Sequence, residues 1–95
     1  MGIVESKTVK IKVTAQEAAK IAADYYREVA NDYDQPSTEE VEISEDQKYW
    51  LITLGIRKQG GDAISSLYGK TYIAYKIFKI DSQTGDVLSM KIREV

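Results

Sequence analysis

The stretch TAQEAAKIAADYYREVANDY, residues 14–33, is the only long segment of the chain with a regular helical period. Thr14 is a favourable N-cap, and Glu17 can return a hydrogen bond to the Thr14 amide, which is the pattern of a capping box. Alanine, the residue with the highest helix propensity, fills much of the interior. The sequence therefore predicts a helix that begins at Thr14 and frays at its end, where Asp32 and Asp34 oppose the helix dipole.

The apolar side chains of this predicted helix gather on one broad arc when residues are placed at steps of about 100°. The arc covers roughly half of the circumference, which is wider than a coiled-coil seam and suits a sheet that curls around the helix. Charged and amide side chains occupy the other half. The arc consists of Ala18, Ile21, Ala22, Tyr25, Tyr26, Val29 and Tyr33.

Five further segments alternate apolar and polar side chains, which is the period of a half-buried strand. One strand is predicted before the helix, over residues 3–13, and four are predicted after it. In residues 71–81 the alternation slips, and a β-bulge near Ile77 would restore it. The four later strands lie around Val41 and Ile43, over residues 49–58, over residues 71–81, and around Leu88, Met90 and Ile92.

Short polar segments separate these strands and predict tight connections. Residues 44–48 read SEDQK, and residues 81–86 read DSQTGD, in which Gly85 suits a positive φ angle. DSQTGD could also be read as a calcium-binding loop. Its glycine is fifth rather than sixth, and Ile92 stands where an EF-hand needs glutamate, so the turn is the favoured interpretation.

The resulting order β-α-β-β-β-β predicts an α+β fold in which one N-terminal helix packs on a curled antiparallel sheet in two layers. The strand over residues 49–58 should be central because both of its faces are partly apolar. The other face of the sheet is expected to be uncovered, and the 95 residues to form one domain, 1–95. The predicted core packs Trp50, Ile52, Leu54 and Ile56 on Ala18, Ala22, Tyr25 and Val29.

Composition excludes several functions. The chain has no Cys and no His, and its net charge is −2. Disulfides, thiol chemistry and the commonest general base are therefore absent. We predict no catalytic residue, no metal site and no cofactor, and no binding to nucleic acid or insertion into membranes. As written, the chain is expected to be cytoplasmic; it would be secreted or membrane-attached if a leader or anchor had been removed.

One charge run stands out between the predicted helix and the central strand, where seven carboxylates occur with no basic residue among them. One interpretation is an acidic edge that binds a cation or a basic partner. The favoured interpretation is a solvated loop and an edge strand protected from aggregation by charge. The run consists of Asp32, Asp34, Glu39, Glu40, Glu42, Glu45 and Asp46.

The succession TAQEAAKIA, a short acidic strand, YWLITLGI and YKIFKIDSQTGDVLSMKI resembles the PepSY domain over residues 14–92. That family combines an Ala-rich capped helix with strands that end in a D-x-x-T-G-x-V/I-L hairpin. The resemblance implies a cystatin-like fold and a binding or inhibitory module. The Gln-x-Val-x-Gly loop of cystatins is absent, so inhibition of cysteine proteases is not implied. The matching hairpin residues are Asp81, Thr84, Gly85, Val87 and Leu88.

Two surfaces are candidates for contact with a partner. The first is the connection over residues 59–70, which is long for a hairpin and carries apolar side chains within a basic rim. The second is the outer sheet face, where Tyr49, Leu51 and Tyr72 would form an exposed patch. The candidates of the first surface are Ile64, Leu67 and Tyr68 in the centre and Arg57, Lys58 and Lys70 at the rim.

The sequence therefore predicts a small non-enzymatic binding module with a protein partner. One alternative is a homo-oligomer with a structural role, joined through the outer face or by strand exchange. Another is a small-ligand carrier or an enzyme with its site between helix and sheet, which would need a concave pocket with converging polar groups.

Overall fold

A computed structural model describes residues 10–32, 35–59 and 71–93. Within these residues, one helix is followed by four strands, which form a single antiparallel sheet in the order β1-β2-β3-β4. The predicted α+β class and antiparallel sheet are thus confirmed. The elements are α1 (Ala15–Ala30), β1 (Ser37–Ile43), β2 (Tyr49–Gln59), β3 (Thr71–Asp81) and β4 (Val87–Ile92).

The start of α1 follows the sequence expectation. Thr14 is the N-cap: its hydroxyl accepts the Glu17 amide at 3.1 Å, and the Glu17 carboxylate accepts the Thr14 amide at 2.8 Å. The helix ends at Ala30, because Asn31 adopts a left-handed conformation with φ 54° and its amide bonds back to the Arg27 carbonyl. Tyr33 and Asp34 lie outside the described residues.

The strand predicted before the helix is not confirmed. Residues 10–13 contain no strand, and residues 3–9 lie outside the described part of the chain. The amides of Lys12 and Val13 both donate to the Ser82 carbonyl at 2.9 Å. Two successive amides that converge on one acceptor cannot continue a ladder, in which successive residues point in opposite directions. The described order is therefore α-β-β-β-β.

The core lies between α1 and β2, which is a central strand as predicted. Ile52, Leu54 and Ile56 are buried there. One member of the predicted core differs, because Val29 is 54% exposed. Tyr26, which was not among the predicted core residues, is buried on the helix beside Ala22. The core cluster comprises Ala18, Ala22, Ala23, Tyr26, Ile52, Leu54, Ile56, Phe78 and Ile80, with Trp50 and Tyr25 packed against it.

The prediction of a bulge near Ile77 is wrong. β3 pairs with β2 in unbroken register over 11 residues. The irregularities lie on the two edge strands instead, at Glu39 in β1 and at Leu88 in β4. In an edge strand an extra residue interrupts one hydrogen-bond ladder, whereas in a central strand it interrupts two. An edge strand therefore accommodates a bulge at lower cost.

Among the described residues no second layer lies on the outer face of the sheet, but an ion pair crosses it. Arg93, which follows β4, donates to the Glu40 carboxylate of β1 at 2.6 Å and therefore reaches across the face. Its guanidinium also lies 3.5 Å from the Thr53 hydroxyl of β2. Thr53 is buried although it points away from the helix. The first and last strands are thus linked by an ion pair on this face.

Both predicted turns are present, and the second is stabilised from within. The Asp81 carboxylate accepts the Thr84 amide at 3.0 Å and the Gln83 amide at 2.8 Å, and these hydrogen bonds lower the pKa of Asp81. Gly85 has φ +82°, as expected, and its amide donates to the Asp81 carbonyl at 2.9 Å.

Truncation of Leu54 tests the packing of α1 on β2. We expect Leu54→Ala to lower the free energy of unfolding by about 2–5 kcal/mol, because the side chain is fully buried in the core. Leu88→Ala is the control, since Leu88 is exposed on an edge strand, and its cost should be much smaller. Equal urea midpoints for the two variants would contradict this packing.

Substitution of Gly85 tests the second turn. Gly85→Val should lower stability by about 1–3 kcal/mol, because a β-branched residue is strained at φ +82°. A Cβ atom would also lie 3.2 Å from Ile21 Cδ1. Gly85→Asn has the same Cβ but tolerates left-handed φ better, so a smaller loss for Asn in thermal melts identifies φ as the main cause. Identical losses would point to the contact with Ile21.

Candidate interaction surface

Two cross-strand pairs mark one end of the hairpin formed by β2 and β3. Arg57 pairs with Ile73, and Lys58 pairs with Tyr72. Paired residues of antiparallel strands share a face, and successive residues alternate between faces. Lys58 and Tyr72 therefore lie on the face that carries α1, whereas Arg57 and Ile73 lie on the outer face. These four residues are called the hairpin end below.

The hairpin end exposes large apolar side chains beside cationic ones. Tyr72 is 54% exposed and Ile73 is 42% exposed. The pairing of β3 with β4 covers only residues 76–80, so among the described residues β2 is the one strand beside this segment. Arg57 is exposed as well. Apolar groups are thus presented on both faces of the same short segment, each opposite a basic residue. Aromatic residues and Arg are enriched where proteins contact each other, so this composition is typical of an interface.

Lys58 is held in place by the end of the helix. Its Nζ donates to the Tyr26 hydroxyl at 3.0 Å, and that hydroxyl donates to the Asp32 carboxylate at 3.0 Å. Lys58 Nζ also lies 3.8 Å from Asp32. The hydrogen bond with Tyr26 raises the pKa of Lys58. The carboxylate of Asp32, just after the helix, therefore has both a hydroxyl donor and a nearby cation. These contacts link the end of α1 to the hairpin end.

A shallow pocket lies beside the hairpin end. Its volume is about 260 Å³, and it is lined by Gln35, Pro36, Ile56 and Arg57. Small-molecule sites enclose roughly 300–1,000 Å³. This pocket lies below that range, and its size suits a single side chain of a protein partner.

The structure separates Tyr49 from Tyr72. Tyr49 lies on the outer face at the opposite end of β2, where it pairs with Asp81, and Lys79 Nζ lies 4.1 Å from the centroid of its ring. Tyr72 lies on the helix-bearing face. The predicted patch that joins Tyr49, Leu51 and Tyr72 is therefore wrong, because a period of two places Tyr72 on the face opposite Tyr49 and Leu51.

The structure places three predicted candidates at the hairpin end, with Lys58 and Tyr72 on the helix-bearing face and Arg57 on the outer face. Four others, Ile64, Leu67, Tyr68 and Lys70, lie outside the described residues. The sequence analysis missed Ile73. The signal for it was present, since Tyr72 and Ile73 are consecutive, and adjacent apolar residues in a strand occupy both faces.

Two observations concern other kinds of site. Within residues 10–32, 35–59 and 71–93, no three acidic or other metal-ligating side chains come together in an arrangement that could hold a metal ion. The described part of the chain also contains no helix with the length and apolar character needed to cross a membrane.

Compared with known protein families, with characterised proteins and with solved structures, the chain shows no significant match.

The contact between Lys58 and Tyr26 can be measured by a double-mutant cycle with Lys58→Met and Tyr26→Phe. We expect a coupling energy of about 0.5–1.5 kcal/mol at neutral pH, the usual range for a hydrogen bond. Because the folded pKa of Lys58 is raised, this stabilisation is complete below the unfolded pKa and is lost as pH rises through the folded pKa. Tyr25→Phe in place of Tyr26→Phe is the control and should show no coupling. Coupling that persists at the highest pH would contradict the assignment.

Proposed function

We propose that this chain is a small non-enzymatic binding module that contacts a protein partner through the hairpin end. The observation that carries the proposal is the exposure of large apolar side chains on both faces of the hairpin end. Tyr72 lies opposite Lys58 on the helix-bearing face, and Ile73 lies opposite the exposed Arg57 on the outer face. Burying such side chains against a partner removes apolar area from water, which is the main favourable term in association. A partner that encloses the hairpin end from both sides would bury Tyr72 on one face and Arg57 on the other, and both residue types are enriched among binding hot spots.

Preorganisation of the hairpin end favours binding. Lys58 is fixed by Tyr26 and Asp32, and Pro36 beside the pocket is buried. Side chains already held in one conformation lose less entropy when a partner binds. The exposed charge of Arg57 favours a partner surface that is acidic or of mixed charge.

A PepSY-like identity remains part of this proposal. The turn of residues 81–86 supports it, since Asp81 accepts two amides and Gly85 has a left-handed conformation. Those are the roles for which a D-x-x-T-G sequence is suited. A compartment outside the cytoplasm, which the resemblance would allow, is likewise a proposal.

The small-ligand carrier and the enzyme are weaker candidates. Both would need space between the helix and the sheet. In the described residues that layer is occupied by fully buried side chains, among them Tyr26, Leu54 and Phe78. The pocket lies instead beside the hairpin end, at Pro36 and Arg57. The geometry therefore favours the binding module, and the homo-oligomer is considered below.

The test is quantitative affinity capture with the variant Tyr72→Ser/Ile73→Ser. Loss of an aromatic anchor typically costs 2 kcal/mol or more, so capture of the partner should fall by at least about 30-fold. Val29→Ser is the matched control, because Val29 is 54% exposed on the helix and lies outside the hairpin end. Its capture should equal that of the wild type.

Photo-crosslinking provides the second readout of the same proposal. A crosslinking residue in place of Tyr72 should label the captured protein, whereas one in place of Lys20 on the exposed side of the helix should not. Circular dichroism confirms that the variants are folded. Unchanged capture by the Tyr72→Ser/Ile73→Ser variant would show that the partner binds elsewhere.

A further inference from the structure

We propose that copies of this chain associate head to tail, with β1 of one copy adding to β4 of the next as an antiparallel strand. This proposal goes beyond the binding of a partner at the hairpin end and uses different surfaces. It begins from the sheet order β1-β2-β3-β4, in which β1 and β4 each pair on one side only among the described residues.

The backbone amides and carbonyls of both edge strands point outward at every second residue. The Ser44 amide donates to the Tyr49 carbonyl at 2.8 Å, so even-numbered residues after the bulge in β1 bond inward to β2. The Arg93 amide donates to the Tyr75 carbonyl at 2.9 Å, so odd-numbered residues at the end of β4 bond inward to β3. Alternation leaves the other residues facing outward. They are Val41 and Ile43 on β1, and Met90 and Ile92 on β4.

These outward-facing groups match in one register. If Val41 of one copy is opposite Ile92 of the next, Ile43 is opposite Met90, and both are hydrogen-bonded pairs. All four side chains lie on the face that carries α1, because Val41 pairs with Ile52 within its own sheet and Met90 with Phe78. Val41 is 41% and Ile92 73% exposed in the isolated chain. The junction would bring these apolar side chains together.

The same register pairs opposite charges on the outer face. Glu42 of one copy is opposite Lys91 of the next, and Glu40 is opposite Arg93. Both are non-hydrogen-bonded pairs, in which side chains are closest, and opposite charges directly across from each other stabilise a sheet. Arg93 already binds Glu40 of its own chain, so it would exchange one glutamate for another. The gain in charge pairing therefore rests on Glu42 and Lys91, which are both exposed.

The bulges do not interrupt this junction. They lie at Glu39 and at Leu88, whereas the proposed pairing uses residues 40–44 and 89–93. Both segments keep a regular register with their own neighbours. Because the described sheet has an even number of strands, a copy shifted sideways without inversion presents its β1 antiparallel to β4 and keeps its helix on the same face.

The helices leave room for this arrangement. Four strands spaced about 4.8 Å apart place equivalent points of successive copies about 19 Å apart. A helix with its side chains is about 10–12 Å in diameter, so neighbouring copies of α1 do not collide. The contact is heterologous and does not close on itself, which gives linear assemblies of increasing length rather than a fixed dimer.

Charge also selects this pairing over the symmetric ones. An antiparallel pair of two β1 strands would bring glutamates from both copies together, and a pair of two β4 strands would bring together lysine and arginine. Like charges directly opposite destabilise a sheet. The two edges differ in sign, with three glutamates and no basic residue in β1 and no acidic residue in β4. The head-to-tail arrangement is therefore the favoured one.

The experiment is sedimentation velocity of the purified full chain over a series of concentrations. The average mass of the wild type should rise with concentration. Glu42→Lys and Lys91→Glu should each lose this rise, because each places like charges at the junction. The double variant Glu42→Lys/Lys91→Glu should recover it, and so should an equimolar mixture of the two single variants, because opposite charges face each other again at every junction.

Controls separate the junction from general charge effects. Glu28→Lys and Lys20→Glu make the same charge changes on the exposed side of the helix and should behave as the wild type. Tyr72→Ser/Ile73→Ser should also associate as the wild type, so the test is independent of the partner proposed for the hairpin end.

Four results would overturn the proposal. The first is a wild type that stays monomeric at every concentration, and the second is association of the single variants as strong as that of the wild type. The third is a double variant that stays monomeric. The fourth is a mixture of wild type with Glu42→Lys that associates more strongly than the wild type alone. The last result would indicate symmetric pairing of β1 with β1.

Discussion

The hydrogen bonds of Ser82 connect the parts of this fold that the sheet alone does not hold together. Its carbonyl accepts the Lys12 and Val13 amides, its amide donates to the Lys48 carbonyl at 2.9 Å, and its hydroxyl donates to the Gln47 carbonyl at 2.7 Å. The residue is fully buried. The segment before the helix, the turn before β2 and the turn after β3 therefore meet at one point. Because the Trp50 indole also donates to the Val13 carbonyl at 2.7 Å, the start of α1 is fixed over the start of β2.

The elements of the fold could be predicted from local patterns, whereas their long-range contacts could not. Capping at Thr14, the period of α1 and the positive φ of Gly85 each depend on a few neighbouring residues, so the sequence indicated them. The role of Ser82 depends on residues more than 30 positions away in sequence, and a lone serine in a turn gives no sign of it. The prediction of a strand before the helix fails over residues 10–13 for the same reason. The alternation of Ile11 and Val13 with lysine does not reveal that the amides of Lys12 and Val13 both donate to the Ser82 carbonyl.

The candidate surface was predictable in part. Arg57 and Lys58 were indicated because they flank a long connection, whereas Tyr72 was indicated as part of an outer-face patch with Tyr49. The register between β2 and β3 decides which residues share a face, and a shift of one residue reverses the assignment. The bulge expected near Ile77 would also have changed this register, whereas the structure places the irregularities at the two edges. Register depends on contacts between strands and is weakly specified by either strand alone.

The position of α1 explains why exposed apolar side chains remain at particular places on the sheet. A single helix centred on β2 covers Ile52 and Leu54, but it leaves the edge residues Val41 and Ile92 in contact with water. Edge strands of this kind are usually protected by charge and by bulges, and this chain has both devices on β1 and on β4. The protection is not equivalent on the two sides, because one edge is acidic and the other basic. Such charges repel an identical edge but attract the opposite one, so the same residues that prevent symmetric pairing direct the head-to-tail contact.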